Sequence, residues 1–108
     1  MLTNQSAQTE RVLQALADPT RRTVFEHLAR SPATVGAIAQ KLPVSRPAVS
    51  QHLKVLKEAG LVTDRAEGTS RVYSIERSGL ASLRAYLDTF WEMTLESFAE
   101  AAKEKENQ

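Results

Sequence analysis

Residues 44–62, VSRPAVSQHLKVLKEAGLV, have the pattern of a capped amphipathic helix that leads into a strand. Ser45 predicts the N-cap, because its hydroxyl can accept hydrogen bonds from the free backbone amides of the first turn, and Pro47 suits that turn. Gly60 is placed to end the helix. Apolar residues recur at helical spacing between these ends: Val49, Leu53 and Leu56. These side chains must face a core, which leaves the opposite side of the helix free for contacts.

Three further helices are predicted before this one, and the third is joined to it by a tight turn. The first covers residues 6–17 and the second covers residues 19–30, with Asp18 as the N-cap of the second. The third helix follows Thr34, whose hydroxyl can cap it, and is ended by Pro43. Two short helices joined by so short a turn are typical of a helix-turn-helix.

The sequence after residue 60 predicts a hairpin and then a long helix. Residues 61–63 and 72–75 are rich in β-branched and aromatic side chains, and the turn between them, at residues 66–69, contains Gly68. Helical spacing then returns and predicts a last helix over residues 79–101. The expected fold class is therefore mainly α (α+β): a winged helix-turn-helix with about five helices and a two-stranded β-hairpin wing between the fourth and fifth.

Length and composition fit one domain of 108 residues. We expect it to cover residues 6–101, between a flexible start at residues 1–5 and a flexible polar tail at residues 102–108. The absence of cysteine excludes disulfides, zinc–thiolate sites and thiol nucleophiles. No apolar segment is long enough for a signal peptide or a membrane span, so a cytoplasmic protein is expected. The sequence also has no glycine-rich phosphate loop and no nucleophile motif, which argues against an enzyme.

Charge is distributed unevenly although the formal net charge is only +1. Residues 41–77 contain seven lysines and arginines against four acidic residues, whereas residues 88–106 contain six acidic residues against two lysines. A balanced total can therefore hide a basic surface that faces DNA beside an acidic surface kept away from it.

The outer side of the fourth helix carries the predicted contacts with double-stranded DNA. Arg46 can donate to two acceptors of guanine, and Gln51 can pair with adenine. Ser50 and Lys54 can reach bases or phosphates, and two arginines of the hairpin can hold an adjacent backbone or minor groove. The complete predicted set is Ser45, Arg46, Pro47, Ser50, Gln51, Lys54, Arg65 and Arg71. The alternative is that these polar residues form an ordinary solvated helix face.

The last helix has an apolar stripe that is too wide for a lone terminal helix on a small domain. We expect part of this stripe to contact a second subunit, with help from the first helix. The predicted interface residues are Leu13, Leu16, Leu87, Phe90, Trp91, Leu95 and Phe98. A twofold homodimer of this kind would place two recognition helices about 34 Å apart, one turn of DNA. The alternative is that the stripe folds back onto its own domain.

The chain resembles the ArsR/SmtB-type family of bacterial winged-helix repressors over about residues 10–98. Residues 15–22, ALADPTRR, resemble the family's opening motif, and residues 44–62 are similar to its recognition helix and exit. Gly68, followed by Arg71 and Tyr73, resembles its wing. The resemblance implies a homodimer that binds an operator, represses transcription and releases DNA when an effector binds.

The family's metal-sensing patterns are missing from this chain. Many members bind metals through the cysteines of a Cys-Val-Cys-Asp-Leu motif, but residues 34–38 here are Thr-Val-Gly-Ala-Ile. A second family site uses Asp and His on the last helix, which here has Asp88 but no histidine. The resemblance therefore implies the metal-free branch, with no cofactor, no metal site and an unknown effector.

Two other functions and three residue features are left open by the sequence. A winged-helix module that binds an acidic protein is the main rival, and an architectural DNA binder without sequence preference is the other. His52 is expected to pack and bond to backbone, or alternatively to contact phosphate, and His27 is expected at the surface. The acidic residues spaced by four from Asp88 to Glu104 are read as a solvated face, or alternatively as a surface for a cation or an arginine-rich partner.

Overall fold

The computed structural model describes residues 4–107, with side chains described from residue 6. It contains five helices and one antiparallel hairpin: α1 (Asn4–Ala17), α2 (Pro19–Arg30), α3 (Val35–Lys41), α4 (Arg46–Glu58), β1 (Val62–Glu67), β2 (Ser70–Ile75) and α5 (Arg77–Glu106). The predicted fold class is confirmed, because the hairpin lies between α4 and α5 and the remainder is helical. None of the described helices is long and apolar enough to cross a membrane.

The junction of α1 and α2 is closed by caps at both helix ends. The Asp18 carboxylate accepts a hydrogen bond from the Arg21 backbone amide at 3.0 Å, and this bond holds the pKa of Asp18 below its ordinary value. In the other direction, Arg21 Nε donates to the carbonyl of Ala15 and Arg22 Nε to that of Leu16, both at 2.8 Å. Two cations thus satisfy carbonyls at the negative end of α1, which fixes the angle between the two helices.

The helix-turn-helix consists of α3, a short turn and α4. The Thr34 hydroxyl accepts a hydrogen bond from the Ala37 amide at 3.1 Å, and the Ser45 hydroxyl accepts one from the Ala48 amide at 3.3 Å. Both predicted N-caps are therefore confirmed. The third helix ends at Lys41, as expected from the proline two residues later.

The core lies between α1, α2, α3, α4 and the base of the hairpin. Its largest fully buried side chains come from each of these elements: Val12, Val24, Ile38, Val49, Leu53, Leu56, Leu61 and Val62. The α4 stripe is thereby anchored inward, and the remaining side of that helix faces solvent.

The hairpin is longer and its turn tighter than predicted. Pairing runs from Val62 opposite Ile75 to Glu67 opposite Ser70, which leaves a two-residue turn at residues 68–69. Gly68 has a φ of +62°, as a turn with glycine at its first central position requires. The expected strands at residues 61–63 and 72–75 were too short, because residues 64–67 have weak strand propensity and are extended only through their pairing with β2.

The last helix starts two residues before the expected position and continues five residues beyond it. Glu76 caps it by accepting a hydrogen bond from the Ser78 amide at 3.1 Å. Residues 102–106, expected to be a flexible tail, are helical, in keeping with their alanine, lysine and glutamate content. At the other terminus, residues 4–5 belong to α1, and the rest of the expected flexible start lies outside the described residues.

Candidate nucleic-acid interface

The outer side of α4 forms one continuous polar surface. Val49, Leu53 and Leu56 are completely buried on the inner side. The predicted contacts on the outer side are all exposed: Ser45, Arg46, Pro47, Ser50, Gln51 and Lys54. The structure therefore brings these six residues together at the start and on the solvent side of one helix. The Ser45 hydroxyl is already used as the cap acceptor, although its proton can still be donated.

Arg46 lies across the gap between α4 and the start of α3. A Cβ built on Gly36 would approach the Arg46 guanidinium to 3.0 Å, so a glycine at this position leaves room for the arginine. Within residues 6–107, neither Arg46 nor Lys54 has a carboxylate at ion-pair distance. Both cations thus retain their full charge for a phosphate or a base edge.

The two wing arginines differ in their surroundings. Arg65 lies on the outer face of the hairpin and forms an exposed ion pair with Glu67 at 3.3 Å. Arg71 lies on the inner face, where its Nε is 2.5 Å from Asp64. The two arginines were predicted to make the same kind of DNA contact, but they lie on opposite faces of the hairpin.

Asp64 also binds Lys57, which extends from the last turn of α4. The Lys57 Nζ is 2.6 Å from one carboxylate oxygen, and Arg71 occupies the other. Hydrogen bonds from Lys57 and Arg71 hold the pKa of Asp64 below its ordinary value, and the same contact raises the pKa of Arg71. This cluster was not predicted from the sequence, in which its only signal is that Asp64 follows Val62 by two residues and so shares its strand face.

A second surface runs along α5, where every described residue from Arg84 onward is exposed. It contains large apolar side chains that no other part of the described chain covers: Leu87, Phe90, Trp91, Leu95 and Phe98, with exposures from 48% to 68%. On α1, Leu13 is 42% exposed, whereas Leu16 is half-buried against the core of its own chain. Apart from Leu83, which packs on that core, the stripe does not fold back onto its own domain.

Helix α1 is fastened to α5, so the exposed residues of both helices belong to one surface. Thr9 and Ser82 are buried together and hydrogen-bond through their hydroxyls. Beside them, Leu13 and Tyr86 line an open hollow of about 430 Å³ between the two helices. Tyr86 also packs edge-to-face on Phe90, with ring centroids 4.9 Å apart.

The chain is similar in sequence to known transcriptional regulators that contain a helix-turn-helix. A family model described as a helix-turn-helix domain matches residues 16–65. The chain is 58% identical over 91 residues to the HTH-type transcriptional regulator Rv2034 of Mycobacterium tuberculosis, an alignment that covers 84% of this chain and 85% of that protein. It is also 36% identical over 69 residues to the transcriptional repressor SdpR of Bacillus subtilis, covering 64% of this chain and 77% of the repressor.

Solved structures agree in fold and in family. An ArsR-like transcriptional regulator from Rhodococcus sp. RHA1 is 28% identical and superposes with a TM-score of 0.77 over 93% of this chain and 97% of that one. The homodimeric winged helix-turn-helix domain Mb0332 from Mycobacterium bovis, a possible ArsR-family regulator, is 31% identical with a TM-score of 0.64, over 89% and 93%. The chain belongs to the ArsR/SmtB family. The members of this family are transcriptional regulators and not enzymes.

The ligand-type side chains of this ArsR/SmtB-family chain are not grouped as a metal site in the part that the structure describes. Residues 34–38 contain no cysteine and no aspartate. Among residues 6–107, no group of three or more histidines and acidic residues is arranged to hold a metal ion. The acidic residues from Asp88 to Glu104 are exposed along α5.

His52 packs at the side of α4 but does not form the expected hydrogen bond through its buried nitrogen. Its Nδ1 has no hydrogen-bond partner among the described residues. The ring borders an open hollow that is also lined by Thr20, Thr23 and Pro43. The prediction that His52 packs is thus correct, whereas the predicted backbone bond is not formed by Nδ1.

Proposed function

We propose that this chain represses transcription by binding a twofold-symmetric operator as a homodimer, with α4 in the major groove. The observation that carries the proposal is the division of α4 into two sides. Val49, Leu53 and Leu56 are fully buried, while Arg46 and Gln51 are exposed on the outer side. A helix anchored in this way can enter a groove about 12 Å wide without disturbing its own core.

Each residue of the outer side has a chemical role in this proposal. Arg46 donates to the two acceptors of guanine, and Gln51 pairs with adenine. Ser50 contacts a base or a phosphate, and Lys54, which has no ion pair in the described structure, neutralises a phosphate. Pro47 packs against the groove wall, and Arg65 holds the adjacent backbone or minor groove from the wing. The Ser45 hydroxyl and the positive end of α4 face a phosphate of the DNA backbone.

The second subunit covers the exposed stripe of α5. The stripe exposes several large apolar side chains on one helix, and Leu13 lies beside Tyr86 in the hollow between α1 and α5; exposed apolar side chains grouped in this way mark an interface. The remaining exposed part of Leu16 lies at its margin. The solved structure of the M. bovis relative is homodimeric, which supports the same assembly for this chain. A twofold axis through the stripe would set the two α4 helices about 34 Å apart, the repeat of one DNA turn.

Release from the operator is assigned to a non-metal effector or to another signal. Residues 34–38 lack the cysteines of the metal-sensing members, so we place the chain in the metal-free branch, acting in the cytoplasm where the operator lies. Residues 6–101 would supply both DNA binding and dimerisation.

Binding measurements test whether the outer side of α4 contacts bases. They use two DNA duplexes, one selected from a random pool for binding to this protein and one unselected. Arg46→Ala and Gln51→Ala are each expected to cost about 1–3 kcal/mol on the selected duplex and to relax the preference at one base pair. Lys54→Ala is expected to weaken binding to both duplexes alike and to lower the salt slope by about one per subunit.

Lys103→Ala, at the far end of α5, is the matched control and should leave both affinities unchanged. Unchanged affinity of Arg46→Ala and Gln51→Ala for the selected duplex would show that another surface reads the bases. If the unaltered protein binds neither duplex at low salt, a winged-helix module that binds protein would explain the chain better than a DNA-binding repressor. Equal affinity for the two duplexes would instead point to an architectural DNA binder.

A further inference from the structure

Three elements of the DNA-binding half meet at a single carboxylate. Lys57 extends from the last turn of α4, Asp64 lies in β1 and Arg71 lies in β2. Lys57 Nζ is 2.6 Å from Asp64 Oδ1, and Arg71 Nε is 2.5 Å from Asp64 Oδ2. Each oxygen therefore takes one cation. We call these three residues the Asp64 triad.

The carboxylate at the centre of the triad is held in place by its surroundings. The Asp64 side chain is only 4% exposed, whereas the Lys57 and Arg71 side chains are 54% and 59% exposed. The two cations thus cover the anion and remain accessible themselves. Because Asp64 lies on the strand face of buried Val62, it cannot turn outward without a change of strand register. An anion in this position that lost its partners would pay the cost of an unpaired covered charge.

The triad ties the wing to α4 at a second point. The first is the chain connection through residues 59–61, where Gly60 has a φ of +76° and the Leu61 amide donates to the Leu56 carbonyl. The base of β2 is also held away from α4, because the backbones of Tyr73 and Ala33 exchange two hydrogen bonds of 2.9 and 3.0 Å. The triad adds a side-chain contact between the hairpin and α4, and Arg71 brings β2 into that contact, closer to the wing tip than Tyr73.

We infer that Asp64 is a positioning residue for operator recognition, an inference that rests on the proposed function. It holds the wing at the angle at which the wing tip and the outer side of α4 contact the same segment of DNA. Arg71, with its Nε bound to Asp64, acts through this contact. Arg65, whose pair with Glu67 is exposed and weak, is the wing arginine that exchanges its carboxylate for a phosphate.

The hairpin offers a control with the same change of charge. Asp64→Asn and Glu67→Gln each remove one negative charge from the wing, but only the first breaks the link to α4. Both variants are measured against the selected and the unselected duplex over a range of salt concentrations. Glu67→Gln is expected to strengthen binding to both duplexes alike and to leave their affinity ratio unchanged.

Asp64→Asn is expected to lower that ratio about tenfold, because binding to the selected duplex weakens while binding to the unselected duplex holds or rises. Lys57→Gln should lower the ratio similarly without adding positive charge. The double variant should be no worse than Asp64→Asn alone, since both changes break one link. Thermal unfolding shows whether each variant is folded. If Asp64→Asn is unfolded, Lys57→Gln tests the same link between α4 and the wing.

The inference would be overturned if Asp64→Asn, Glu67→Gln and the unaltered protein had equal ratios of affinity for the selected and the unselected duplex. Asp64 would then affect DNA binding only through its negative charge. A higher affinity of Asp64→Asn for the selected duplex would also overturn it, since Arg71 would then be a direct phosphate contact restrained by Asp64. If the unaltered protein shows no preference for the selected duplex, the proposed function itself fails, and this result is distinct from the other two.

Discussion

Trp91 offers a direct test of the α5 interface, because it is the only tryptophan of the chain and is 64% exposed. Leu87 lies one turn before it and Phe98 two turns after it, with exposures of 55% and 68%. If a second subunit covers this row, Trp91→Ala removes the largest side chain of the interface from both subunits at once.

The expected loss follows from the exposed area. A tryptophan side chain presents about 250 Å², so 64% exposure leaves about 160 Å² for a partner to cover. At about 25 cal/mol per Å² this amounts to about 4 kcal/mol for each side chain. Alanine retains some contact, and the measured loss is then about 2–3 kcal/mol per subunit, or about 4–6 kcal/mol per dimer. The dissociation constant of the dimer should rise at least about a thousandfold.

Sedimentation velocity over a wide concentration range measures this constant, and the fluorescence of Trp91 in the unaltered protein reports burial independently. Its emission should move to shorter wavelength as the protein associates. Met93→Ala is the matched control, since Met93 is 55% exposed but lies two residues on, across the helix from Trp91. Unchanged association of Trp91→Ala, or an emission that does not shift as the unaltered protein dimerises, would refute the assigned interface.

Two further predictions concern stability and are measured by urea unfolding at one fixed protein concentration. Gly79→Ala should destabilise by about 1–3 kcal/mol, since its Cβ would lie 2.7 Å from the backbone oxygen of Gly60. Gly36→Ala, whose Cβ meets only the movable end of Arg46, should be neutral or stabilising; equal effects of the two variants would contradict the packing. For pH, the pKa of Asp64 is lowered by folding, so its contribution to stability is present above about pH 4 and is lost as the pH falls through the folded-state value. The stability difference between the unaltered protein and Asp64→Asn should therefore shrink in acid, and a difference that grows would reverse the sign of this linkage.

The helix-turn-helix could be predicted from the sequence because its signals are local. Thr34 and Ser45 cap their helices through amides three residues away, and the apolar spacing of α4 identifies its buried side directly. The residues that determine where such a helix starts and ends therefore lie within a few positions of each end.

The wing could be predicted only in outline, because its details depend on pairing across the chain. Asp64 meets Lys57 and Arg71 from seven residues away on either side, and nothing in the local sequence shows that these three side chains converge. The sequence therefore predicted the same DNA contact for both wing arginines, whereas the structure shows Arg71 bound to Asp64 and directed away from Arg65.

The side-chain contacts at the α1–α2 junction were also not predictable from the local sequence. Residues 15–22 were recognisable as a motif, but periodicity gives Arg21 and Arg22 no role. Only the structure shows that they cap the carbonyls of the preceding helix. The interface on α5 was predictable for a different reason: a stripe wider than a small core can cover must remain exposed in the isolated chain.

Selection of bound sequences from a pool of random duplexes tests whether a twofold dimer reads DNA sequence through α4. We expect enrichment of two inverted half-sites whose centres lie about 10 base pairs apart, one for each α4. Enrichment of a single half-site without symmetry would contradict the dimer. A pool that remains random after repeated rounds would contradict the reading of DNA sequence by the outer side of α4.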